Sequence, residues 1–196
     1  MKDYEAIKRL LKTRLNEKRY EHSLCVAEEA KRLAEKYGAD PEKSYLVGLL
    51  HDITKNAPKA EHEELFLLCE NEPSVIERQS QKLWHAITGT EFIRHRLGVT
   101  DEEVLDAVRY HTTAKADMPL LSKVLYLADF TSRDRDYEDV DVMRRLVDQS
   151  MDEAYAYALS YTVCDLASRY LAIHPDTMAA FNETCFRGII PDTERK

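Results

Sequence analysis

Tyr45-Leu46-Val47-Gly48-Leu49-Leu50 is an uninterrupted apolar run that no other in the sequence exceeds in length, and it ends directly on His51-Asp52. The run is far shorter than the roughly 18 residues of a membrane span. Just upstream, Asp40-Pro41 has the form of an N-cap followed by proline in the first helical turn, where the missing N–H costs nothing. A helix from there to about Ile53 is apolar on every side over Tyr45–Leu50, which predicts the central, buried helix of the fold. It carries a histidine and an aspartate into the interior. An unpaired ionised group there costs several kcal/mol or shifts its pKa to become neutral, so the pair needs a partner such as a metal.

The flanking sequence is helical in both directions. Ile7, Leu10, Leu11 and Leu15 form one apolar face; Tyr20, Leu24, Ala27, Ala34 and Tyr37 form another, closed by Gly38. Capping boxes start three more helices, Ser74 with Glu77, Thr100 with Glu103 and Ser150 with Glu153. Further helices are expected from about Lys59 to Cys69, Pro119 to Thr131, Val140 to Val147 and Pro175 to Phe186, and no segment reads as a strand. The fold class is therefore all-α. The least regular stretch is the charged loop Ser132 to Asp139, directly behind an apolar helix, a position where loops often carry function.

At 196 residues the chain has the length of one domain, with a core over about 18–182 and a C-terminal tail over 183–196. Glycine (5) and proline (6) are scarce, which argues against a β-sandwich, collagen or disorder. The charged N-terminus lacks the apolar centre of a signal peptide, and Cys25, Cys69, Cys164 and Cys185 stand far apart with no CxxC pair. Each lies inside or beside an apolar stretch, so they read as reduced core thiols, and a cytoplasmic location is the expectation. The net charge of −8 is spread along the chain and would repel a nucleic-acid backbone. Nucleic-acid polymers are thereby excluded as partners, and the shortness of the apolar runs excludes a membrane span. Small anionic substrates such as nucleotides remain, provided that a metal or local cations receive them. A homodimer is left open.

Several polar residues follow apolar runs in the same way. His85 follows Leu83-Trp84, His111 follows Val108-Arg109-Tyr110, Asp129 follows Val124-Leu125-Tyr126-Leu127-Ala128, and His22 lies on the second helix beside Leu24. The ordinary alternative for His85 and His111 is a core histidine bonded to a backbone carbonyl. For Lys55 it is a cation at a helix C-terminus, and for Arg19 and Arg135 a solvated charge. His62, amid Glu61-Glu63-Glu64, and His95, amid Arg94-Arg96, read as surface residues.

The order His22, His51-Asp52, His85, His111, Asp129 resembles the HD-domain metal-dependent phosphohydrolases, an all-α superfamily. Arg19-Tyr20-Glu21-His22-Ser23-Leu24, Gly48-Leu49-Leu50-His51-Asp52-Ile53-Thr54-Lys55, Tyr110-His111-Thr112-Thr113-Ala114, Leu125-Tyr126-Leu127-Ala128-Asp129 and His174-Pro175-Asp176-Thr177 with Phe181-Asn182 are similar, more narrowly, to the YqeK family. The similarity runs from about Lys18 to Asn182. It implies one HD domain that hydrolyses diadenosine tetraphosphate at its centre, giving two ADP, at an iron-type metal site. The chain departs from the family pattern in one place. After the final aspartate the family has a hydrophobic-Glu-Pro triplet, an arginine and a Phe-Pro-Gly turn; here the sequence reads Thr131-Ser132-Arg133, Asp134-Arg135 and Tyr137-Glu138-Asp139. Arg135 matches the arginine; the Glu, Pro and Gly are absent.

The residue types agree with that reading. Imidazole and carboxylate together suit iron, manganese, cobalt or zinc, with magnesium as a further alternative, and the lack of cysteine ligands speaks against structural zinc. Two metal ions are expected. His22, His51, Asp52 and Asp129 are assigned to one, and His85 and His111, with Asp52 bridging, to the other. A hydroxide held between two such ions would attack a phosphoryl group in line. Asp52, Lys55 and His85 are the expected catalytic residues. Arg19, Lys55, His85, His111 and Arg135 are expected at the substrate. His174, before Pro175, shapes a helix start, and the resemblance lets that end of the chain touch a base. Two rival readings stand beside this one: a phosphohydrolase of another nucleotide (a monophosphate, a guanosine alarmone or a cyclic dinucleotide), and a non-catalytic nucleotide sensor.

Overall fold

A computed structural model describes residues 3–193; Met1, Lys2 and the last three residues of the expected C-terminal tail lie outside the described residues. Eleven helices and no strand are present among the described residues. They are α1 (Tyr4–Arg14), α2 (Glu17–Tyr37), α3 (Pro41–Leu50), α4 (Lys59–Phe66), α5 (Val75–Gln79), α6 (Gln81–Leu97), α7 (Glu102–Tyr110), α8 (Leu120–Thr131), α9 (Val140–Gln149), α10 (Met151–Ser168) and α11 (Pro175–Phe186). No helix among them is long and apolar enough to cross a membrane.

The expected central helix is α3. Asp40 caps it by accepting from the backbone N–H groups of Glu42 and Lys43, and Leu46 to Leu50 are all buried. The helix stops at Leu50, earlier than Ile53, and residues 51–56 continue as turns that carry His51, Asp52 and Lys55. Gly48 explains how α3 lies so close to α2. A Cβ at that position would stand 2.5 Å from Cα of Ala27, so only glycine allows the two backbones to approach. α2, α3, α6, α7 and α8 pack around a core that includes Val26, Leu33, Leu49, Leu50, Ile53, Leu125 and Leu127. Burial of each such side chain stabilises the fold by about 1.5 to 3 kcal/mol.

Of the four cysteines read as core thiols only Cys25 is buried, while Cys164 and Cys185 are exposed, because the apolar stretches beside them turn other faces inward. Three further details differ from the sequence reading. The cap of α7 is Asp101, whose side chain accepts from the Glu103 N–H, so the expected Thr100–Glu103 box does not form. Asp is a stronger cap than Thr, and the start moves by one residue. The box of Ser74 with Glu77 is complete, yet the helix it opens ends at Gln79, and α6 begins anew after Ser80. The third difference is His62, which is buried rather than on the surface: its ring packs against Trp84 and its Nδ1 lies 2.8 Å from the Thr88 hydroxyl. The neighbouring glutamates hid the apolar side of α4. His95 is exposed as expected.

Candidate metal centre

Six sequence-predicted residues converge inside the bundle, five of them in two cation-sized groups and His85 beside Asp52 and His111. α2 supplies His22, the end of α3 His51 and Asp52, α6 His85, the end of α7 His111, and α8 Asp129. His51 and His111 each cap a helix, and each donates Nδ1–H to a carbonyl three residues back, Gly48 at 2.8 Å and Val108 at 2.7 Å. That bond turns Nε2 inward as a free lone pair. Nε2 of His51 is buried without a hydrogen-bond partner.

The donor atoms form two overlapping groups. His22, His51 and Asp129 make one set able to hold a cation, and His51, Asp52 and His111 another. Nε2 of His22 lies 2.9 Å from Oδ1 of Asp129, which is also 4.0 Å from Nε2 of His51. Asp52 divides its oxygens: Oδ2 faces Nε2 of His51 at 3.5 Å, whereas Oδ1 faces Nε2 of His85 at 3.2 Å and of His111 at 3.9 Å. Nε2 of His85 and Nε2 of His111 are only 3.1 Å apart. This donor set, with its orphaned buried nitrogen, fits a metal ion of the iron, manganese, cobalt or zinc type.

Electrostatics follow from burial. His51, His85 and His111 are pushed down, first by loss of solvent and then, for His85, by Lys55; His111 falls to about 4. All three are neutral at neutral pH. Burial alone would raise Asp52 and Asp129. The imidazoles and Lys55 around Asp52, and Arg135 and His22 beside Asp129, outweigh it and hold both carboxyls below their usual range. His22 rises, because its bond to Asp129 overcomes the effect of burial.

Cations stand at the rim. Nζ of Lys55 is 3.0 Å from Nε2 of His85 and 3.6 Å from Oδ1 of Asp52, and burial lowers its pKa. Arg19 donates to Oδ2 of Asp52 at 3.1 Å. Arg135 donates to the Asp129 carbonyl at 2.5 Å and to its carboxylate. Lys18, Arg19, His22, Asp134, Arg135, Asp136 and Tyr137 line a cavity of ≈ 430 Å³ beside the cluster. His174 is placed elsewhere. It caps α11, its Nδ1 accepting from the Asp176 N–H, and its contacts are with Asp176 and Glu77 rather than with the six.

One residue at the cluster escaped the sequence reading. Oδ2 of Asp134 lies 2.7 Å from Nδ1 of His22. Its only signal was its position in the charged loop behind Asp129.

The comparisons agree with this geometry. The HD domain family matches residues 19–134. The symmetrical bis(5'-nucleosyl)-tetraphosphatase of Bacillus subtilis (strain 168) is 34% identical over 172 residues, covering 88% of this chain and 92% of that protein. The Staphylococcus aureus (strain NCTC 8325 / PS 47) protein of the same name is 33% identical, covering 91% and 92%. The crystal structure of a predicted HD superfamily hydrolase involved in NAD metabolism from Clostridium acetobutylicum superposes with a TM-score of 0.90 at 32% identity, over 95% of this chain and 99% of that one.

Proposed function

Since the chain belongs to the HD-domain family and, within it, to the group of symmetrical bis(5'-nucleosyl)-tetraphosphatases, we propose that it hydrolyses diadenosine tetraphosphate and related dinucleoside polyphosphates to two nucleoside diphosphates. The observation that carries this reading is the convergence of four histidines and two aspartates beside a cleft lined by Lys18, Arg19 and Arg135. His22, His51, Asp52 and Asp129 would hold one metal ion, and His85 and His111, sharing Asp52, a second. Iron is favoured. Bound there, such ions supply Lewis-acid neutralisation of phosphoryl charge and acidify water.

The protein's own groups do the rest. Asp52, with one oxygen toward each half of the cluster, holds the two halves in register. Lys55 places Nζ against His85 and Asp52, where its ammonium form would neutralise charge on a phosphoryl oxygen. Arg19 and Arg135 offer planar forks to the outer phosphates, which a chain of net charge −8 would otherwise repel. The oxygen of water bonds to one central phosphorus, the bridging P–O bond breaks, ADP departs with the bridging oxygen, and a proton passes to solvent. A nucleoside diphosphate held by cations leaves without a dedicated general acid. Chromatography of the products tests the reading: ADP is expected as the sole product, and AMP with ATP would contradict it.

A further inference from the structure

We propose that Asp134 is a positioning residue of the metal centre, which makes the turn after α8 part of that centre. The inference rests on the metal-centre reading above. Of the ligand histidines, His51 and His111 are each steered by a backbone carbonyl of their own helix, Gly48 and Val108. Those contacts come with the helix and no side-chain substitution removes them. His22 sits in mid-helix, where its ring finds no such carbonyl. Its Nδ1 instead meets the Asp134 carboxylate at 2.7 Å, while Nε2 faces Asp129 at 2.9 Å. Both carboxylates only accept; with a cation held on the Nε2 side together with Asp129, the Asp134 carboxylate would keep the proton on Nδ1 and leave Nε2 as the ligand atom.

The turn that presents Asp134 is itself braced. The Arg135 N–H donates to the Ser132 carbonyl at 3.0 Å. Arg144, on α9, donates to the carbonyls of Thr131 at 3.2 Å and of Ser132 and Arg135 at 3.0 Å each. Arg135, the next residue, grips Asp129. Asp134 and Arg135 therefore hold two ligands of one cation group, His22 and Asp129, from a single turn. A surface carboxylate of ordinary kind would be worth little to anything. A carboxylate behind a ligand histidine sets ring orientation and ligand basicity, and its loss typically costs 10 to 100-fold in metal affinity.

The test is titration of Co2+ into metal-free wild type, Asp134→Ala, Asp134→Asn and Glu138→Ala, followed by visible absorption of the bound ion and by competition with a chelator. Asp134→Ala should weaken Co2+ binding about 10 to 100-fold and alter the absorption spectrum. Asp134→Asn keeps an acceptor for Nδ1–H and should recover part of the affinity. Glu138→Ala removes the same charge from the same exposed loop and should bind as wild type does. Equal affinity and spectra for wild type and both Asp134 variants would overturn the role of Asp134 alone. Absence of Co2+ binding by the wild type would overturn the metal-centre reading with it. Equal weakening by Glu138→Ala would reduce the effect to general charge.

Discussion

Nε2 of His22 on α2 stands 2.9 Å from Oδ1 of Asp129 on α8, so the first and last members of the motif face each other across the bundle. The cluster thus ties together helices far apart in sequence, and whatever occupies it holds them. Chelation should lower the melting temperature. A metal at about 1,000 times its Kd stabilises by about 4 kcal/mol, on the order of 10 °C for a chain of this size. Scanning calorimetry with and without chelator checks this, and an unchanged melting temperature would speak against a buried metal centre.

Gly48→Ala should destabilise by about 1 to 3 kcal/mol, because the new methyl would meet the Ala27 backbone at 2.5 Å and neither helix can yield cheaply. The carbonyl of this residue orients His51, and a shift of the α3 backbone away from α2 would carry that carbonyl and His51 with it, so metal affinity should fall as well. Urea denaturation and metal titration read the two effects. Wild-type stability in this variant would show that α2 and α3 do not approach as described.

What the sequence made legible follows from where the information lies. The apolar run over Tyr45–Leu50 identified the buried helix, and five of the six cluster residues could be found because apolar runs carry them inward, His22 needing only its place on α2. The break at Ser80 and the shift of the α7 cap to Asp101 are one-residue competitions that periodicity does not resolve. The contact of Asp134 with His22 depends on how an irregular turn folds back onto α2, and no helical period encodes it. His174 was legible as a helix start, which is where the structure has it.

Arg135→Ala should lower kcat/KM for diadenosine tetraphosphate more than for a simple activated phosphodiester. Both should fall, since the guanidinium also grips Asp129. The excess on the tetraphosphate reports the outer-phosphate contact. Equal losses would assign Arg135 wholly to Asp129, and no loss on either substrate would remove it from the site.

Metal-free protein should lose stability as the pH falls from 7 to 5. His111 titrates at about 4 in the folded chain because of burial and the neighbouring His51, and near 6.5 when unfolded. Between those values the unfolded state binds more protons, so its share of stability is complete above about 6.5 and is lost toward 4. His51, His62 and His85 shift in the same direction and His22 in the opposite one, four against one. Denaturant titrations of metal-free wild type and His111→Gln check it: the variant should show a shallower pH dependence. Greater wild-type stability at pH 5 than at pH 7 would reverse the sign and refute the assignment.

Elemental analysis of freshly purified wild type and Asp52→Ala tests the metal centre most directly. Asp52 is the one carboxylate that faces both halves of the cluster, Oδ2 toward His51 and Oδ1 toward His85 and His111. The wild type should carry two metal ions per chain, chiefly iron. Asp52→Ala should retain fewer and show no turnover of diadenosine tetraphosphate. A variant with the full metal content of the wild type and its full turnover would contradict the account.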